Sequence, residues 1–61
     1  MIKFNFKQFG IEKRVSKPML TKVVRLQYPA VTLMWKRGTI KEEMLIVLEK
    51  RYGDLSRYVI T

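Results

Sequence analysis

The spacing of apolar residues changes several times along the chain. At the N-terminus, Ile2, Phe4 and Phe6 alternate with polar residues. This period of two is typical of a half-buried strand, or of an extended lead-in to a helix. From Phe6 onward the spacing becomes helical and predicts a first helix over about residues 5–14. Gly10 weakens this helix by about 1 kcal/mol relative to alanine.

Two further helices are predicted in tandem. Ser16 followed by Pro18 is a typical helix start, because serine caps free N–H groups and proline in the first turn loses no hydrogen bond. The apolar face that follows predicts a second helix over about residues 17–24. After a short connection, Pro29 begins a third helix over about residues 28–36, since the fixed φ of proline suits a first turn.

A fourth helix and a terminal strand complete the predicted elements. Gly38 ends the third helix, and Thr39–Glu42 reads as a capping box that begins the fourth. Gly53 ends that helix, and Asp54 caps one last turn. The ending RYVIT, residues 57–61, is rich in β-formers and is predicted to pair with the N-terminal strand as a two-stranded ribbon. The apolar stripe of the fourth helix consists of Ile40, Met44, Leu45, Leu48 and Tyr52.

Length and composition predict a single domain over residues 1–61 that is not an enzyme. The chain contains no cysteine and no histidine, so it offers no thiol, no imidazole base and no Cys/His metal site. We expect no cofactor, no metal and no small-molecule substrate. The apolar runs, such as residues 44–48, are too short to span a membrane, and the start is too polar for a secretory signal. A cytoplasmic protein without a membrane partner is therefore expected.

The charges are distributed unevenly. Residues 1–41 carry ten Lys/Arg and one acidic residue, whereas residues 42–61 carry three Lys/Arg and four acidic residues. A basic segment joined to a near-neutral tail indicates a surface that meets a polyanion, and nucleic acid is the first candidate. The alternative is a solvated basic face with no specific partner.

The run from Val15 to Gly38 resembles the Cro/CI-type (XRE, lambda-repressor-like) helix-turn-helix family of phages and mobile elements. The similarity to short Gram-positive regulators of this type extends over nearly the whole chain, from the start MIKF to the tail GDLSRYV. It implies a mostly α, compact four- to five-helix domain. It also implies that five side chains of the two-helix unit are buried: Leu20, Val24, Leu26, Val31 and Met34.

Two positions depart from the family pattern. The family has a small residue, usually alanine, where this chain has Thr21, and glycine at the turn where it has Arg25. Arginine at that turn must either adopt a left-handed backbone, at a cost of about 1 kcal/mol, or reshape the turn.

The resemblance also implies which residues meet DNA, since the N-terminal part of the third helix then lies in the major groove. Gln27 can contact adenine with two hydrogen bonds, whereas Pro29 and Leu33 can only touch thymine methyl groups or sugars. Trp35 is expected to be an anchor of the third helix rather than a platform for bases. The predicted base-contacting residues are Gln27, Tyr28, Pro29, Thr32 and Leu33. The predicted backbone-contacting residues are Lys17, Lys22, Arg25, Lys36, Arg37, Thr39 and Lys41.

Four other cations are not included in the predicted site. They lie at predicted helix C-termini, where a positive charge stabilises the helix dipole whatever its function. These residues are Lys13, Arg14, Lys50 and Arg51.

These observations lead to a predicted transcriptional regulator that binds double-stranded operator DNA, as a weak or DNA-assembled homodimer. The alternative is a protein-binding module on the same fold, an antirepressor or inhibitor, that uses Tyr28, Pro29 and Leu33 as an apolar patch. An RNA-binding basic domain is a weaker third possibility, because no aromatic pair is placed to stack unpaired bases.

Overall fold

A computed structural model describes residues 1–60, which form a compact, mostly helical domain with a small sheet. None of the described helices has the length and apolar content needed to cross a membrane. The predicted helices are confirmed to within one residue at most ends. The helices are α1 (Phe6–Lys13), α2 (Lys17–Val24), α3 (Tyr28–Arg37) and α4 (Glu42–Tyr52), followed by a single 3-10 turn (Ser56–Tyr58). The strands are β1 (Ile2–Phe4), β2 (Thr39–Ile40) and β3 (Val59–Ile60).

Local capping signals account for three of the helix ends. The side chain of Asn5 accepts a hydrogen bond from the Gln8 amide at 3.1 Å and caps α1. The hydroxyl of Ser16 caps α2 as predicted, accepting from the Met19 amide at 3.4 Å. At the end of α3, Gly38 adopts a left-handed φ of 68°, the conformation that glycine tolerates without strain.

The predicted capping box at residues 39–42 is wrong. Thr39 and Ile40 form strand β2, which pairs antiparallel with β1. The first residue of α4 is Glu42, preceded by Lys41, which makes no side-chain capping hydrogen bond. Pairing with β1 holds Thr39 and Ile40 extended, so neither belongs to α4, and the Ile40 side chain reaches the core from the sheet.

The sheet has the strand order β2-β1-β3, with both neighbours antiparallel to β1. The ribbon predicted between the two termini is confirmed, with Lys3 opposite Ile60 and Phe4 opposite Val59. The third strand, β2, was not predicted. Thr61, which the sequence included in the terminal strand, lies outside the described residues.

The core is built around an aromatic cluster. The Phe4 ring lies 4.8 Å from Phe6 and 5.5 Å from Phe9, and Phe9 lies 5.7 Å from Tyr58. Tyr58 is 2% exposed, so its ring is part of the buried core. The remaining buried side chains come from the α1–α2 connection, from α2, α3 and α4, from β2 and from the last loop: Val15, Leu20, Val31, Leu48, Ile40 and Leu55.

The burial expected for the two-helix unit is confirmed in part. Leu20 and Val31 are fully buried. Val24, Leu26 and Met34 are half-buried and pack against the core from its edge. The inner surfaces of α2 and α3 therefore meet the core, and their remaining faces are available to the site described next.

Candidate functional site

The α2–α3 pair is joined by three residues, and its turn depends on a strained position. Arg25 ends α2 in the left-handed conformation, with φ 57° and ψ 40°. Of the two alternatives for this turn, the structure shows the first: Arg25 adopts the left-handed backbone that glycine has in the family, and the turn keeps its shape. A second non-glycine residue, Arg14, has the same conformation at the end of α1, with φ 55°, and the sequence did not predict it. Each of these positions stores about 1 kcal/mol of strain.

The outer face of α3 is uncovered by the rest of residues 1–60. Tyr28 is 50% exposed and Leu33 is 45% exposed. Pro29 and Lys36 are exposed on the same side of the helix, and Gln27 is exposed at its N-terminal end. The structure thus brings together four of the five predicted base-contacting residues on one continuous outer strip.

Thr32 departs from this strip. Its hydroxyl oxygen Oγ1 is enclosed by the protein and has no hydrogen-bond partner within residues 1–60. The prediction that the Thr32 hydroxyl faces outward is therefore wrong. A base edge could reach this hydroxyl only after rotation about χ1. Among the predicted base-contacting side chains, Gln27 and Tyr28 remain as those that offer hydrogen-bonding groups at the surface.

Trp35 anchors α3 against α1, as expected. Its ring stacks on Phe6 with centroids 5.4 Å apart and an interplanar angle of 26°. It also lies directly over Gly10, where an added Cβ would meet two ring atoms at 2.8 and 2.9 Å. The sequence predicts that Gly10 weakens α1. In the structure, its lack of a side chain leaves the space that the Trp35 ring occupies.

Lys17 lies at the first position of α2 and reaches across to α3. A cation at a helix N-terminus is opposed by the helix dipole. The Lys17 ammonium lies 5.8 Å from the centroid of the Trp35 ring, and this cation–π contact offsets part of that cost. The contact holds the charge beside α3.

Other predicted backbone contacts surround the C-terminal end of α3. Lys36 and Arg37 are exposed in its last turn, and Lys41 is exposed before α4. Thr39 is half-buried in strand β2 rather than free in a loop. Beside them lies an open, mainly apolar hollow of about 270 Å³. Its apolar lining is Met1, Leu26, Ala30, Leu33, Met34 and Met44.

Lys22 and Arg25 lie in a different place from the other predicted backbone contacts. They line an open groove of about 440 Å³ between α2 and α4, together with Lys50 and Arg51. The sequence had explained Lys50 and Arg51 by the dipole of α4 alone. No local signal could have revealed the cluster, because it exists only where α2 packs against α4.

The acidic residues are mostly engaged elsewhere. Glu12 accepts hydrogen bonds from the Tyr58 hydroxyl at 2.7 Å and from Gln8, and it pairs with Arg57 at 3.3 Å. These contacts lower the pKa of Glu12, the Tyr58 hydrogen bond most of all. The same hydrogen bond raises the pKa of the Tyr58 hydroxyl. Glu12–Arg57 is the one ion pair within residues 1–60, so the cations around α3 are not neutralised by carboxylates there.

The surface around α3 carries exposed cations without ion pairs in residues 1–60. Residues 1–60 contain no group of three or more acidic, histidine or cysteine side chains that could hold a metal ion. An exposed helix with cations beside it can bind a polyanion or a partner protein by non-covalent contacts. No protein-family model matches the chain, and comparisons with curated proteins and with solved structures give no match either.

Proposed function

We propose that this chain is a sequence-specific transcriptional regulator of the Cro/CI type that binds double-stranded operator DNA. In this proposal α2 and α3 are the helix-turn-helix of a lambda-repressor-like domain, and α3 lies in the major groove. The observation that carries the proposal is the uncovered outer strip of α3, a helix joined to α2 by a three-residue turn. The 10 residues of α3 measure about 15 Å, and a helix of this kind fits the major groove.

The electrostatics support a polyanionic partner. The chain has a formal net charge of +8, and Lys17, Lys36, Arg37 and Lys41 border α3 without an ion pair in the described residues. Each of them that meets a phosphate releases counterions from the DNA, which favours binding and makes it salt-dependent. Affinity for duplex DNA is therefore expected to rest mainly on these backbone contacts.

The capacity for base recognition is modest. Gln27 can form two hydrogen bonds with adenine, a contact that contributes about 1–3 kcal/mol of discrimination. Pro29 and Leu33 add only apolar contacts to thymine methyl groups. Since the Thr32 hydroxyl is enclosed, we expect sequence preference to come mostly from the N-terminal end of α3.

A fluorescence-anisotropy titration with duplex DNA over a range of salt tests the proposal. About four phosphate contacts predict a slope of log K against log salt of about −3.5. Lys36→Gln should reduce the magnitude of this slope by about 1. Lys7→Gln removes the same charge from the exposed surface of α1 and should leave the slope almost unchanged. Affinity that does not fall with salt, or identical effects of the two variants, would contradict the proposal.

The second candidate function is a protein-binding module, an antirepressor or inhibitor. The observation that favours it is the apolar hollow beside α3, whose lining includes Leu33. Tyr28 and Pro29 do not line this hollow, so the patch is smaller than the sequence suggested. Leu33→Gln separates the two candidates. It should alter sequence preference but preserve salt-dependent affinity in a DNA-binding protein, and it should abolish partner binding in a protein-binding module.

A further inference from the structure

The groove between α2 and α4, called here the α2–α4 groove, is strongly cationic. It is lined by Lys22, Val23, Arg25, Val47, Lys50 and Arg51. Four of these six residues are cations and none is acidic. None of the four forms an ion pair within residues 1–60, so the groove presents uncompensated positive charge.

Apolar side chains lie between these cations. Val47 is 42% exposed on α4. Val23 lines the groove from α2 and is half-buried. Phosphate groups gain nothing from valine methyl groups, whereas an amphipathic protein segment buries them. The mixture of cations and apolar side chains therefore favours a protein partner over a nucleic acid backbone.

None of the protein's five carboxylates lines the groove. Glu12 is bound to Tyr58 and Arg57, Glu49 accepts from the Leu55 amide, and Asp54 accepts from Ser56. Glu42 and Glu43 are exposed in the first turn of α4 and are not part of the groove lining. A second copy of this chain would bring the same excess of positive charge, so it is a poor match. The complement of the groove is a segment rich in acidic residues.

We infer that the α2–α4 groove is a docking site for an acidic, amphipathic helical segment of a partner protein. A helix laid between two helices presents side chains at positions i, i+3, i+4 and i+7. Carboxylates at the edges of that face meet Lys22 and Arg25 on one side and Lys50 and Arg51 on the other. Apolar residues at its centre cover Val23 and Val47. This inference goes beyond DNA binding and does not rest on it.

The test uses the full chain labelled with ¹⁵N and a designed helical peptide that carries glutamates at the edges and leucines at the centre of one face. The amide signals of Lys22, Val47 and Lys50 report binding. We expect Lys50→Gln/Arg51→Gln to weaken the peptide complex by about five- to tenfold. Lys3→Gln/Lys7→Gln removes two exposed cations outside the groove and should leave affinity nearly unchanged.

Two altered peptides examine the two parts of the inference. A peptide with glutamine in place of glutamate keeps the shape without the charge, and one with serine in place of leucine keeps the charge without the apolar face. Both should bind more weakly than the parent peptide. Equal binding by either altered peptide overturns the inference, as does the absence of binding by the parent.

The remaining outcomes concern other occupants. If duplex DNA shifts the groove amides and Lys50→Gln/Arg51→Gln abolishes that shift, the groove belongs to the DNA backbone and the inference is wrong. If the groove signals change with protein concentration alone, a second copy is the occupant, and the inference is again wrong. Lys36→Gln should weaken DNA binding and leave peptide binding unchanged, whereas Lys50→Gln/Arg51→Gln should weaken peptide binding. A failure of the DNA proposal can therefore be told apart from a failure of this inference.

Discussion

Replacing Gly10 with alanine should destabilise the protein, although alanine favours helices. Gly10 lies inside α1, where the substitution by itself contributes about 1 kcal/mol of stability. The new methyl group would, however, lie 2.8 and 2.9 Å from two atoms of the Trp35 ring and 3.1 Å from the carbonyl oxygen of Val15. The ring cannot simply move away, because it stacks on Phe6.

The magnitude follows from these two opposing effects. Forcing a methyl group into a packed contact costs about 1–3 kcal/mol. After the helix gain is subtracted, Gly10→Ala should lower the free energy of unfolding by about 1 kcal/mol. For a domain of this size, that corresponds to a fall of about 4–8 °C in the thermal midpoint.

Urea denaturation followed by circular dichroism measures the effect. Gly10→Ala should be compared in two proteins, one with Trp35 and one that also carries Trp35→Phe. The smaller ring removes the two closest contacts and leaves the one with the Val15 carbonyl oxygen at 3.1 Å. Gly10→Ala should then raise the free energy of unfolding, by less than the full helix gain of about 1 kcal/mol. The predicted result is a change of sign between the two backgrounds. If Gly10→Ala stabilises the protein with Trp35 present, the reasoning about this contact is refuted.

Three further predictions concern backbone strain and the Glu12–Tyr58 contact. Arg25→Gly should raise the urea midpoint, with a gain of about 0.5–1 kcal/mol, because glycine relieves the left-handed strain at φ 57°; a lower midpoint would contradict this. Gly38→Ala should cost about 1 kcal/mol in the same assay, from backbone strain alone, since its Cβ would stand 3.5 Å from the nearest atom. Finally, the folded-state pKa of Glu12 lies below its ordinary value of 4.5, so the associated stability is present above that value and is lost as the pH falls through the folded pKa. Tyr58→Phe removes the main cause of that shift, so thermal midpoints of this variant should fall less steeply on acidification; an unchanged slope would count against the contact.

Local sequence signals determined where the helices lie. Ser16 with Pro18, Pro29 and Gly38 each act on their own turn of chain, through a capping hydrogen bond, a fixed φ or tolerance of a left-handed backbone. Such effects need no distant partner, and α2 and α3 were therefore predicted nearly to the residue. The pairing of the two termini also followed from the sequence, because both segments are rich in β-formers.

Only the tertiary structure decided the features that depend on distant residues. Thr39–Ile40 carries a local signal for a helix start, but pairing with β1 makes it a strand. Gly10 looked like a defect until the Trp35 ring lay over it. In the same way, Lys22 and Lys50 are 28 positions apart, and only the packing of α2 on α4 places them in one groove. Periodicity and capping report on a single turn of chain, whereas these contacts depend on how whole helices and strands meet.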